Sequence, residues 1–176
     1  MSIPKPIDWS KAKPEMIEEV AREAEAFLQA QLSVATSADQ RAVVTASVHT
    51  AAGTALIAGL LAVASSDHAV DFSAMYWGGA VAALMLLGSG ALCVAAAMPV
   101  GFYLPGAQPE SWRSDIESGR DYLPALSEQA GNFQDRIASN SETMKRNARM
   151  FRIGAVGGMV APIIGAATWW LVMHYC

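Results

Sequence analysis

The residues able to do chemistry are few and scattered. Three histidines, His49, His68 and His174, stand in different stretches of the chain, and the two cysteines, Cys93 and Cys176, lie far apart. This spacing matches neither a metal-ligand cluster nor a disulfide framework. No GxxxxGK[ST] loop, GxSxG elbow, HExxH helix or CxxC pair occurs, so catalytic activity, a metal or a cofactor is not expected. The carboxylates are spread over polar helical stretches, where solvation is their usual role. Two places remain. His49 is the one ionisable group inside a long apolar run. An ionisable group at membrane depth marks a pore-lining or gating position by default, whereas a neutral imidazole bonding a neighbouring helix is the plainer use. Trp112, Arg113 and Arg120 form the second candidate, as nucleotide contacts: an indole face stacks and guanidinium groups pair with phosphate. The plainer use here is a Trp covering a helix junction beside solvated arginines.

The elements that position these groups follow from how the apolar residues are distributed. Of 176 residues, 53% are hydrophobic and 16% charged, against about 25% charged in a soluble domain. With a net charge of -4, neither an ordinary soluble enzyme nor a partner for nucleic-acid polymers is expected. Residues 42–64, 72–98 and 153–173 contain no Asp, Glu, Lys or Arg. A hydrocarbon layer of about 30 Å needs roughly 20 helical residues, so each run predicts a transmembrane helix. Helices of a soluble core return a charged residue on nearly every turn, and these do not. The first run begins at residue 42 after a polar start, too deep for a cleaved leader, and is expected to act as an uncleaved insertion signal.

Orientation follows from the bases. All twelve lie either before the first run, from Lys5 to Arg41, or between residues 99 and 152. The positive-inside rule therefore predicts a cytoplasmic N-terminus, a cytoplasmic 99–152 segment and a C-terminus outside, in a multi-pass protein of the cell inner membrane. The short connection 65–71 and the tail 174–176 carry no base. Tyr76, Trp77, Trp169, Trp170 and Tyr175 fall at the predicted outer boundary, and Phe102, Tyr103 and Phe151 at the inner one, where amphipathic rings prefer to sit.

The 1–41 segment predicts one helix over 14–41, with Pro14 in its first turn and Glu15, Glu18 and Glu19 at its positive end. Ile17, Val20, Ala24, Phe27, Val34 and Ala38 step by threes and fours, with Gln31 in the gap, giving a heptad seam with a polar interruption. The 99–152 segment predicts a turn at Leu104–Gly106, a short helix near 109–118, and a long helix from about Pro124 to Arg152. The long helix has a stripe of Leu126, Ala130, Phe133, Ile137, Asn140, Met144, Ala148 and Phe151. Asn140 stands where an apolar residue belongs, a device that fixes register or copy number, and Asn140→Leu is expected to strengthen the seam. Both helices run into the spans that follow them. The two stripes pack on each other within one chain or between chains; the first is preferred, and further copies of the chain remain an expected partner. Gly154 and Gly158, with Gly157, Ala161 and Gly165, offer small-residue faces for close packing. Pro162 predicts a kink. Lys145, Arg146, Arg149 and Arg152 provide an anchor to anionic headgroups. The predicted class is an all-α membrane protein, with three transmembrane helices and a cytoplasmic helical stalk.

A charged N-terminal helix carrying AspGlnArgAla at 39–42 leads into one span. A second span follows across a short outer loop, then a cytoplasmic helical segment and a final span near the C-terminus. This layout resembles the small transmembrane effectors of bacterial Pycsar antiphage systems. The resemblance implies a non-enzymatic effector of antiviral defence by abortive infection. A partner cyclase makes cyclic CMP or cyclic UMP, and the effector responds by impairing the inner membrane. The alternative is a structural or accessory subunit that anchors a partner protein. A transporter is disfavoured, because three spans without internal repeats or a second ionisable group leave little to build a substrate path.

Overall fold

The computed structural model describes residues 7–65 and 73–175. His68, Phe72, Cys176 and nearly all of the 65–71 connection lie outside them. Pro14 opens α1 (Pro14–Ala64) at a position where its missing N–H costs nothing. Helix α2 (Ser73–Ala96) closes with the Ala97 N–H donating to Val94 O, just before Pro99. A 3₁₀ turn at Pro109–Trp112 leads into the short α3 (Arg113–Ser118). Gly119 then stops it at φ +65, the left-handed region that glycine enters without steric penalty. Helix α4 (Tyr122–Tyr175) runs through Pro162 without a break. Among the described residues the chain is helical, with no strand.

Two compact units are formed. The first comprises residues up to Thr36 together with Val100–Met144, and the second Ser37–Pro99 together with Lys145 onward. In the first, Ile17 and Ala21 of α1 bury against Leu126 and Ala130 of α4, with Trp9, Ala12 and Trp112 packed around them. Gln31, the polar interruption, is buried and donates from Nε2 to Ile137 O (3.2 Å) and Ser141 Oγ (2.9 Å). The two stripes therefore pack on each other within one chain. The α1 seam differs from its expected positions: Leu28 is fully buried, whereas Phe27 and Val34 are exposed.

In the second unit the three helices meet through small residues. A Cβ on Gly165 would stand 2.8 Å from both Ala82 Cβ and Gly78 O, and one on Gly78 would meet Gly165 O at 2.6 Å, so here two backbones touch. Gly154 sits equally close to Ser89 O and Cys93 Sγ, both at 2.8 Å from where its Cβ would be. The small-residue faces of the last apolar run thus serve packing inside the chain. Most large apolar side chains point outward instead. Of the apolar windows in α1, α2 and α4, only 17%, 39% and 17% is buried, and Leu84, Met159 and Ile163 are each about 70% exposed. Apolar surface on this scale is unfavourable in water. All three helices are long and apolar enough to cross a membrane, which makes the chain a multi-pass membrane protein in its architecture.

Candidate functional site

The 100–108 strip of the first unit has no regular structure of its own, and two side chains of α4 hold it. Asn140, fully buried, accepts the Tyr103 N–H at Oδ1 (2.9 Å) and donates from Nδ2 to Tyr103 O (3.0 Å). One amide thereby satisfies both backbone groups of a residue that no helix or sheet satisfies. One helical turn earlier, Arg136 donates from Nη1 to Gly106 O (3.0 Å), and its guanidinium carbon lies 5.6 Å from the centre of the Phe133 ring. Gly106 is at φ +85, so the turn expected at Leu104–Gly106 is closed by a residue without a Cβ. The strip then enters the 3₁₀ turn, where Ser111 Oγ donates to Gln108 O at 2.6 Å. Together the 102–108 strip, Glu110, Ser111 and Arg136 wall an open concavity of about 630 Å³, within the range typical of small-molecule sites.

The sequence candidates fall elsewhere. Trp112 packs half-buried on the Ile17, Ala21, Leu126 and Ala130 cluster, where it covers a helix junction. Arg113 pairs with Glu110 at 2.8 Å. Arg120 bridges Asp115 (3.0 Å) and Glu128 (2.6 Å); its hydrogen bonds, to Glu128 first and then Asp115, hold it above the ordinary guanidinium range. Each arginine is thus engaged with carboxylates, and Trp112, Arg113 and Arg120 are not among the residues that wall the 102–108 concavity. His49 lies in the second unit, its imidazole occupying the space that a Cβ on Gly158 would take. Its Nδ1 is buried without a hydrogen-bond partner among the described residues. Thr50 Oγ1 stands against Gly90, and Ser89 Oγ against Gly157, so polar groups gather in the middle of the apolar helices. His174 lies at the far end of α4, where its Nδ1 donates to Trp170 O at 2.9 Å. No three His, Cys, Asp or Glu among the described residues could share a metal ion.

Sequence reasoning did not single out Arg136, although a signal was present. Arg22 and Arg113 each follow a glutamate by three positions and pair with it. Arg136 has Asn132 and Phe133 before it and Ser139 and Asn140 after it at helical spacings. A cation with no acid at such a spacing, beside an apolar stripe, is available to something else. Comparison with protein families, characterised proteins and solved structures returned no match.

Proposed function

We propose that the chain is a Pycsar-like antiviral effector of the cell inner membrane, responding to cyclic CMP or cyclic UMP from a partner cyclase by impairing that membrane. The first unit is the cytoplasmic stalk that receives the signal, and the second crosses the bilayer with the C-terminus outside. One observation carries the reading: the same chain holds apolar helices fit to cross a membrane and a separate helical unit with a concavity of ligand size, walled by a cation that pairs with no carboxylate among the described residues. The response is a change of population. Moving a two-state equilibrium from 1:99 to 99:1 needs about 5.5 kcal/mol of differential ligand affinity. Several copies in a homo-oligomer, each binding weakly, supply that sum together. The test is membrane potential in infected cells that express the chain with its cyclase: collapse is expected, and a normal potential sinks the reading.

A second reading, an accessory subunit that anchors a partner protein, is favoured by the exposed Phe27 and Val34 on α1. It predicts a stoichiometric partner on purification and harmless expression with or without nucleotide.

A further inference from the structure

Among the described residues the concavity of the first unit has one cation on its wall, Arg136, and the surroundings of that cation select a ligand. A guanidinium has five N–H donors in one plane. Arg136 gives one to Gly106 O, holds its guanidinium carbon over the Phe133 ring at 5.6 Å from the ring centre, and pairs with no carboxylate among the described residues. The guanidinium is held by one hydrogen bond and lies near one aromatic ring, which leaves it donors for the oxygens of a phosphate. Tyr103 leaves its ring half exposed at the rim while Asn140 pins its backbone, and Phe102 lines the same wall. These rings offer a planar base something to stack on.

The rim also carries negative charge. Glu110 lines the concavity, although its Oε2 is engaged with Arg113. Glu25 Oε1 lies 3.5 Å from where a Cβ on Gly106 would stand. A phosphate monoester, close to doubly charged at neutral pH, is repelled by Glu25 more strongly than a singly charged ester is. A phosphodiester carries a single charge, and a nucleoside adds hydroxyl and base N–H groups that carboxylates accept.

We propose that Arg136 is the phosphate-binding residue of this concavity, and that the site selects a singly charged cyclic nucleotide over the linear nucleotide with the same base. This rests on the functional reading above and moves the contact away from Trp112, Arg113 and Arg120.

The test uses the full chain in nanodiscs of phosphatidylethanolamine and phosphatidylglycerol. Calorimetric titration compares cUMP, cCMP, UMP, CMP and inorganic phosphate, at low and high salt, against wild type, R136K, R136Q and R120Q. Wild type is expected to bind cUMP or cCMP at least tenfold more tightly than UMP, CMP or phosphate, and more weakly at high salt. R136Q loses at least tenfold, R136K loses severalfold, and R120Q, whose partners Asp115 and Glu128 lie outside the concavity wall, matches wild type. Wild-type protein is also labelled with phenylglyoxal and read by mass spectrometry, so that no variant need fold: bound cyclic nucleotide protects Arg136 and leaves Arg113 and Arg120 reactive. Binding that R136Q leaves intact, or protection of Arg113 or Arg120 in place of Arg136, overturns the site and spares the functional reading. Equal affinity for UMP or phosphate overturns the charge argument. Absence of any cyclic-nucleotide binding by wild type overturns both.

Discussion

Asn140 stands at a seam position, where a lone Asn ordinarily reads as a register device between helices. Its side chain instead pairs with both backbone groups of Tyr103, which reverses the sign of the expected substitution effect. Asn140→Leu fills the space with apolar atoms but strands a donor and an acceptor, each worth about 1–3 kcal/mol when buried. The expected outcome is a lower melting temperature and faster hydrogen exchange at the Tyr103 amide, read by circular dichroism and mass spectrometry; a more stable variant defeats this assignment. Gly158 gives the second prediction at this scale. Its absent side chain is the space His49 fills, so Gly158→Leu forces a core shift that costs roughly 1–3 kcal/mol. His49→Ala in the same chain returns much of the loss in a double-mutant cycle, whereas additive losses refute the contact. The glycine spacing was visible in the sequence, but its occupant was not, because a small residue records only that something approaches closely. Asn140 was misread for a related reason: a polar residue in a stripe shows that it needs a partner, and a strip of chain 37 residues away supplies it.

The α1 seam illustrates the same division at the scale of elements. Val20, Phe27 and Val34 repeat every seven residues, and a strict heptad would keep all three in contact. A straight helix drifts about 20° per heptad, however, and an eleven-residue step stays on one face. Ile17 to Leu28, and Gln31 to Ala42 to Gly53, are such steps, and all five residues are buried. The existence and ends of the helices were legible because proline, glycine and charge mark them directly. The buried face was legible only to within about one residue, since periods of 3.5 and 3.67 barely separate over three turns. Two substitutions distinguish the faces. Leu28→Ala opens a cavity in the first unit and is expected to cost about 2–5 kcal/mol, while Phe27→Ala next to it changes stability by less than about 0.5 kcal/mol. Thermal unfolding of the two variants checks this, and the opposite order restores the heptad seam. If Phe27 contacts a second copy, Phe27→Ala lowers the oligomer number seen by light scattering without altering the fold of the protomer.

At the scale of the molecule, the apolar runs were legible because lipid imposes one simple criterion, roughly 20 residues without charge, that few other environments require. Which side of the membrane each end faces depends on a second asymmetry, and the second unit supplies one. Its bases Arg41, Lys145, Arg146, Arg149 and Arg152 gather where α1 and α4 enter the unit. At the opposite end, Gly78 packs on Trp169, whose Cβ lies 2.7 Å from where a Cβ on Gly78 would stand, and this brings Tyr76 and Trp77 to the same end as Trp169 and Trp170. A base near an anionic leaflet is worth about 1 kcal/mol, so five of them bias the orientation strongly, while the aromatic pairs suit the other headgroup layer. The expected result is a fluorescent protein active when fused at the N-terminus, and alkaline phosphatase active when fused after residue 176. Exchanging the five bases for Gln is expected to yield a mixed population, with a fluorescent protein fused after residue 176 gaining signal. A variant that keeps the wild-type orientation shows that the bases do not set it, and phosphatase activity at the N-terminus of the wild type inverts the topology and places the Arg136 concavity beyond the reach of any cytoplasmic nucleotide.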